Sequence, residues 1–267
     1  MISFPNAKIN IGLHVVEKRP DGYHNLETVF YPVKLRDALE IVKSNKLTFS
    51  ASGMAIEVDS ENNLVMKAYR LLQADFDLSP VKIHLHKVIP FGAGLGGGSA
   101  DAAFTLKMIN DLFSLHLSID TLENYAAKLG ADCPFFIQNR PTFAQGIGDQ
   151  FKAVQLDLSD YEIVIVKPPF SVGTAEAYRN IQPMKPDFDL NRIAELPVDQ
   201  WKEVVKNDFE ESVFPRYPEI RQLKQKLYEA GAIYASMSGS GSAVFGLFRS
   251  LPVNLAAFLP KQYFIYR

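Results

Sequence analysis

Between residues 90 and 101 the chain reads Pro-Phe-Gly-Ala-Gly-Leu-Gly-Gly-Gly-Ser-Ala-Asp, and five of the seven residues from Gly92 to Gly98 are glycine. The flanks make this run informative. Val81 to Ile89 reads as a strand, and Ser99 to Phe113 carries Ala102, Leu106, Ile109 and Phe113 along one helical face. Glycines joining a strand to a helix permit positive φ and close approach. Successive backbone N–H groups can then converge on an anion lying at the positive end of the next helix. A phosphate group is the ligand such a loop suits. No Lys-Ser or Lys-Thr follows the glycines, so this is not a Walker A loop. Gly92, Gly94 and Gly97 satisfy the spacing of a dinucleotide fingerprint, but neither the parallel βαβ unit nor the acidic strand end which that fold requires is visible.

Around this loop the pattern is mixed. Ile9, Ile11, Leu13 and Val15 alternate with Asn10, Gly12 and His14, the period of a half-buried strand, which puts Lys8 and Asn10 on one polar face. Thr28 to Leu35, Ala38 to Val42, Leu47 to Ser50 and Ile56 to Asp59 read as further strands, and Asn62 to Phe76 as an amphipathic helix. Asp120 and Glu123 have capping-box spacing, with Gly130 where a terminal glycine would stop that helix. Thr142 to Val154 predicts a hairpin around Gly146 and Gly148, and Tyr161 to Lys167 an apolar strand. A short helix from Thr174, one near Gln200 and one from Pro218 to Ala230 follow. The order lacks regular βαβα alternation, so the expected class is α+β in two domains, 1–155 and 156–267.

Ala230 to Phe248 is uncharged and long enough to raise the question of a membrane span. Ser236, Ser238, Gly239, Ser240, Gly241 and Ser242 at its centre predict a strand-turn-strand instead. The formal net charge of −2 supplies no basic field for nucleic acid. A single cysteine, Cys133, allows no internal disulfide and fits a reducing compartment, so a cytoplasmic location is expected. No export signal is read at the N-terminus. Taken singly, Asp132 between Gly130 and Pro134 is a turn aspartate, Lys8 a solvated lysine, and Ser238 to Ser242 a tight hairpin.

Together the segments say more. Ala7 to Leu13, Pro90 to Ala103 and Ser238 to Phe248 resemble, in order, the three motifs of the GHMP kinase superfamily. Asp21 to Leu26, Leu129 to Phe136 and Pro169 to Tyr178 resemble its branch acting on 4-diphosphocytidyl-2-C-methyl-D-erythritol, in the non-mevalonate route to isoprenoid precursors. The likeness spans essentially the whole chain. It implies an N-terminal domain of the ribosomal-S5 type, a ferredoxin-like C-terminal domain, and transfer of the ATP γ-phosphoryl group to the substrate's 2-hydroxyl. By resemblance Asp132 is the base, Lys8 its charged neighbour, and Asn10 a contact to the erythritol hydroxyls. Pro90, Phe91, Gly92, Ala93, Gly94, Leu95, Gly96, Gly97, Gly98, Ser99 and Ala100 wrap the ATP phosphates, with Ser99 at the helix start. Asn63 and Lys87 lie toward the nucleoside. Tyr23 and Tyr178 sandwich the cytosine while His24 pairs with its edge, and Thr174, Gly239 and Ser240 line the substrate side. Mg²⁺ is implied as a bridge between phosphates, with no protein ligand assigned. No membrane, nucleic acid or obligate protein partner is implied. Gly173 before Thr174, and the Ala144 to Asp149 loop, depart from the family's usual sequence, as do Asn6 and Ala100. A kinase of another alcohol such as homoserine or mevalonate, and a nucleotide-binding module without catalysis, are the competing readings.

Overall fold

The computed structural model describes residues 1–55, 62–179, 181–252 and 259–267. In chain order the elements are β1 (Ile2–Ser3), β2 (Asn6–Lys18), β3 (His24–Arg36), β4 (Ala38–Lys43), β5 (Thr48–Gly53), α1 (Leu64–Asp75), β6 (Val81–Lys87) and α2 (Gly97–Leu112). There follow α3 (Ile119–Ala127), α4 (Phe135–Gln138), β7 (Thr142–Gln145), β8 (Gln150–Ala153), β9 (Glu162–Lys167) and α5 (Thr174–Ala177). Two 3-10 turns lead to α6 (Trp201–Val204), α7 (Phe209–Val213), α8 (Pro218–Glu229), β10 (Tyr234–Met237), β11 (Val244–Phe248) and β12 (Phe264–Tyr266). The strand expected from Ile56 to Asp59 lies outside the described residues.

These elements form two compact units that interleave along the chain. The first holds Met1–Lys8, Pro32–Phe91 and Gly96–Arg140, the second Ile9–Tyr31, Gly92–Leu95 and Pro141–Arg267. Strand β2 and the glycine segment each run from one into the other, so the ranges are not those of a single cut near residue 155.

In the first unit the sheet order is β1-β4-β6-β5, antiparallel except for the parallel β5 and β6. Strand β6 shows why it folds so: Val81, Ile83 and Leu85 are buried while Lys82 and His86 are exposed. Period-2 geometry then carries Lys87 inward with the apolar set. Helices α1 and α2 pack on each other, α1 burying Val65, Ala68 and Leu72, and α2 burying Ala102, Leu106 and Ile109. Helix α3 starts earlier than expected. Its cap is Ser118, whose hydroxyl accepts the Thr121 N–H at 3.2 Å, so the Asp120 and Glu123 capping box is not used. Nor does Gly130 end it with a left-handed turn; Lys128 caps the helix in the right-handed region. A hydroxyl two residues upstream reached the free donors first.

The second unit contains the order β2-β3-β7-β8 and a separate antiparallel sheet, β10-β11-β9-β12, the arrangement of a ferredoxin-like sheet. Its core sets Val164, Val166, Met237 and Val244 against Ile220, Leu223 and Leu227 of α8. The uncharged stretch after Ala230 is the predicted strand-turn-strand, and no helix among the described residues is long and apolar enough to cross a membrane. One expectation fails for β2: Asn6 to Val15 are buried without interruption, not on alternate faces. The polar side chains of Lys8 and Asn10 are therefore interior groups held by specific partners.

Candidate active site

In the first unit Lys8 Nζ lies 3.3 Å from Asp132 Oδ2, with the lysine side chain 4% exposed and the aspartate 35%. The aspartate sits on a short turn: Cys133 N donates to Gly130 O, and the next turn, α4, buries Phe135, Phe136 and Ile137. At the end of α4, Asn139 in the left-handed region exchanges amide hydrogen bonds with Asn6, at 3.2 and 2.6 Å. The start of β2 and the loop carrying Asp132 are thus tied together beside the pair. Asn6 thus has a specific partner across the turn in Asn139.

The end of the glycine run meets the same lysine. Gly96 caps α2 at φ +69, and a Cβ built there would lie 3.1 Å from Lys8 Cγ and Cε and 3.0 Å from Phe136. Only hydrogen lets the loop close over the lysine stem. Helix α2 begins at Gly97, two residues before Ser99, so its first free N–H groups belong to glycines as well as to Ser99. Ser99 neighbours Cys133, whose thiol burial pushes up to about 11, leaving it an inert filler rather than a nucleophile.

Asn63 and Lys87 both have protein partners. Asn63 caps α1 by accepting the Val65 N–H at 2.9 Å, and Lys87 Nζ donates to Asp37 and Asp101. Phe91 is partly exposed, its ring centroid 5.2 Å from Lys87 Nζ.

In the second unit the remaining glycines meet the serine turn. Ser238 Oγ donates to Gly94 O at 2.8 Å and accepts the Asn10 N–H at 3.1 Å, while Ala243 N donates to Ala93 O. Asn10 Nδ2 donates to Thr28 Oγ1, and Gly239 packs against Asn10 Oδ1. Thr174, first residue of α5, has its hydroxyl 3.5 Å from that of Ser240. Asn10, Gly94, Thr174, Gly239 and Ser240 are brought together. His24 and Tyr178 also meet: their rings stack on each other at 4.9 Å, and Tyr178 rests edge-on against Phe209. Tyr23 is 63% exposed.

Other residues complete the site without any local signal in the sequence. Buried Asn207 donates to the carbonyls of Met237 and Gly239, and Glu210 accepts the Met237 N–H, which pins the serine turn from below. Their partners lie about 30 residues on, beyond the reach of a spacing argument.

An acid and a lysine pressed against a glycine-wrapped helix start can position a polyphosphate and take a proton from an incoming hydroxyl. The GHMP kinases N terminal domain matches residues 63–140, and the GHMP kinases C terminal domain matches residues 189–265. The chain belongs to the GHMP kinase family. As a GHMP kinase it is a small-molecule phosphotransferase with ATP as co-substrate. It is similar to 4-diphosphocytidyl-2-C-methyl-D-erythritol kinase of Bacteroides fragilis (strain YCH46), 60% identical over 93% of this chain and 92% of the relative. The Parabacteroides distasonis kinase of the same name is 57% identical over the same shares. A crystal structure of 4-(cytidine 5'-diphospho)-2C-methyl-D-erythritol kinase superposes with a TM-score of 0.80, at 35% identity, covering 92% of this chain and 90% of that one. The α+β, two-domain GHMP kinase fold expected from the motifs is the one found.

Proposed function

We propose that this GHMP kinase transfers the γ-phosphoryl group of ATP to the 2-hydroxyl of 4-diphosphocytidyl-2-C-methyl-D-erythritol, in isoprenoid precursor synthesis. The observation carrying the chemistry is the Lys8–Asp132 pair set against Gly96 at the start of α2; the relatives' shared name carries the choice of acceptor. The substrate oxygen forms its bond to γ-phosphorus as the bond to the β-phosphate oxygen breaks. Asp132 takes the hydroxyl proton, and ADP leaves. Lys8 orients the carboxylate and counters charge growing on the transferring group. Backbone N–H groups of the glycine run and the first turn of α2 hold the phosphates.

Asn10 is assigned to the erythritol hydroxyls, its side-chain amide oriented by Thr28 and its backbone N–H held by Ser238. Tyr23, His24 and Tyr178 are assigned to the cytosine end. The stacked His24 and Tyr178 form one aromatic platform there, and exposed Tyr23 is the second aromatic face offered to the base. Thr174, Gly239 and Ser240 complete that side. Among the described residues no group of three or more His, Cys, Asp or Glu is placed to hold a metal. Mg²⁺ would enter with the nucleotide phosphates and would supply charge neutralisation there. We assign the enzyme to the cytoplasm, whose reducing chemistry suits a lone buried thiol. Its partners in this reading are the two small-molecule substrates.

The test is ADP release by the purified protein with Mg²⁺ and ATP, offered the cytidyl substrate, homoserine, mevalonate, galactose or no acceptor. Turnover with the cytidyl substrate alone is expected. Preference for another alcohol overturns the substrate, and ATP binding without any turnover overturns the catalytic reading.

A further inference from the structure

The clamp on Lys87 is unusual in its charge balance. Lys87 Nζ donates to Asp37 Oδ2 and, at 2.7 Å, to Asp101 Oδ2. The three side chains are at most 3% exposed. Asp37 fills its other oxygen with the N–H groups of Val88 and Ile89, at 2.6 and 2.8 Å, as the chain leaves β6 for the glycine run. Asp101 Oδ1 is buried and has no hydrogen-bond partner among the described residues. One cation thus faces two carboxylates, an excess negative charge if both are ionised. A buried charge without full pairing is costly, and the cheapest relief is a proton.

The place of that charge matters. Asp101 is the fifth residue of α2, about 6 Å along the axis from Gly97 at 1.5 Å per residue. A Cβ on Gly97 would lie 3.0 Å from Lys87 Nζ, so the triad is directly behind the first turn. The charged groups facing Asp101 are Lys87 from β6 and Asp37 from the β3–β4 connection. Among the described residues of α1, α3, α4 and β4, which pack on α2, Tyr69 is the buried titratable side chain. An anion arriving at the helix start meets favourable backbone dipoles in front and like charge behind.

We propose that Lys87, Asp37 and Asp101 form a proton-linked positioning element for the nucleotide: ATP phosphates bind at the start of α2 with uptake of a solvent proton by Asp101. The inference rests on the phosphate-binding reading of the glycine run. The proton goes to the open Oδ1, removing the excess charge while Lys87 keeps the two ends of the loop joined. Burial first, with Asp37 adding and Lys87 opposing, already raises the Asp101 carboxyl to about 7, within reach of such a switch.

Calorimetric titration of the full-length protein with MgATP, slightly above neutral pH, in buffers of low and high ionisation enthalpy counts the protons. The wild type is expected to take up a substantial fraction of a proton, and its ATP affinity to fall with rising pH by up to tenfold per pH unit. Asp101→Asn, neutral at every pH, is expected to bind MgATP without proton uptake and without that slope, which a merely structural aspartate would not produce. Infrared difference spectra of the wild type keep the test open if the variant does not fold: a carboxylic-acid band is expected to grow on MgATP addition. ATP binding without proton exchange, with unchanged uptake in Asp101→Asn, or without the acid band overturns the inference. Absence of MgATP binding instead overturns the phosphate-binding reading itself.

Discussion

Two alanine substitutions in the glycine run, four residues apart, should have opposite effects. Gly94 has φ +72, and a Cβ there would lie 1.9 Å from Ser238 O and 2.8 Å from Ser238 C, both backbone atoms. The left-handed region costs an L-residue roughly 1–2 kcal/mol. Relieving the overlap by moving backbone costs a further 1–3 kcal/mol or so, the usual range for overpacking. Gly94→Ala should therefore destabilise by about 2–5 kcal/mol and, at roughly 2–4 °C per kcal/mol for a chain of this size, lower the melting temperature by at least about 4 °C. Gly98 lies inside α2 without positive φ, and its nearest atom would be Leu64 Cδ1 at an ordinary 3.7 Å. Alanine there restricts the unfolded chain at no cost to the folded one, a gain of about 0.4–1 kcal/mol. A rise of roughly 1–4 °C follows. Differential scanning calorimetry of both variants beside the wild type decides. Shifts in the same direction, or a Gly94→Ala midpoint within a degree of the parent, would refute the account of why this loop is glycine.

Asp132→Asn should lower kcat by roughly a hundredfold to ten-thousandfold while the Kd for MgATP changes little, read by steady-state kinetics and calorimetry. Near-normal turnover removes Asp132 from the role of base. Tyr23→Ala, at an exposed position, should weaken the cytidyl substrate by roughly twofold to twelvefold, the worth of one aromatic contact, with ATP affinity unchanged. Equal loss of both ligands contradicts a cytosine role. Asp101 gives a pH signature: its folded carboxyl is raised from 3.8 to about 7, so the native state holds the proton more tightly than the unfolded chain. The stability it contributes is full at the acid end and is lost as pH rises through about 7. Urea midpoints across that window should fall less steeply in Asp101→Asn than in the wild type; identical slopes would count against the shift.

Periodicity located the main elements because burial on one face leaves a repeat in the sequence: β6 alternates and α1 keeps one apolar stripe, as read. It failed at β2, where both faces are covered and an alternating pattern hid two interior polar groups, Lys8 and Asn10. The helix cap was missed because two hydroxyl or carboxyl residues compete for the same donors, and spacing alone cannot rank Ser118 against Asp120. The glycine run, Lys8 and Asp132 were legible as motifs. Asp37, Asn207 and Glu210 were not, since each acts on residues far along the chain. Asp101 stood at the end of the glycine motif, but nothing local revealed that its neighbour across the fold was a buried lysine.

The interleaving of the two units also sets an order on synthesis. All residues of the first unit have been made once Arg140 is added, yet they carry Ile9–Tyr31 and Gly92–Leu95 as guests whose own unit awaits the remaining chain. A ribosome-bound nascent chain stopped at that point would expose the apolar strand segments of β2 and β3 without their sheet partners β7 and β8. Truncation at any one bond cannot separate the two units, because a chain ending at Arg140 still carries segments of the second. Cellular quality control would meet the second unit as complete only when nearly half the chain, Pro141–Arg267, has been made after the first.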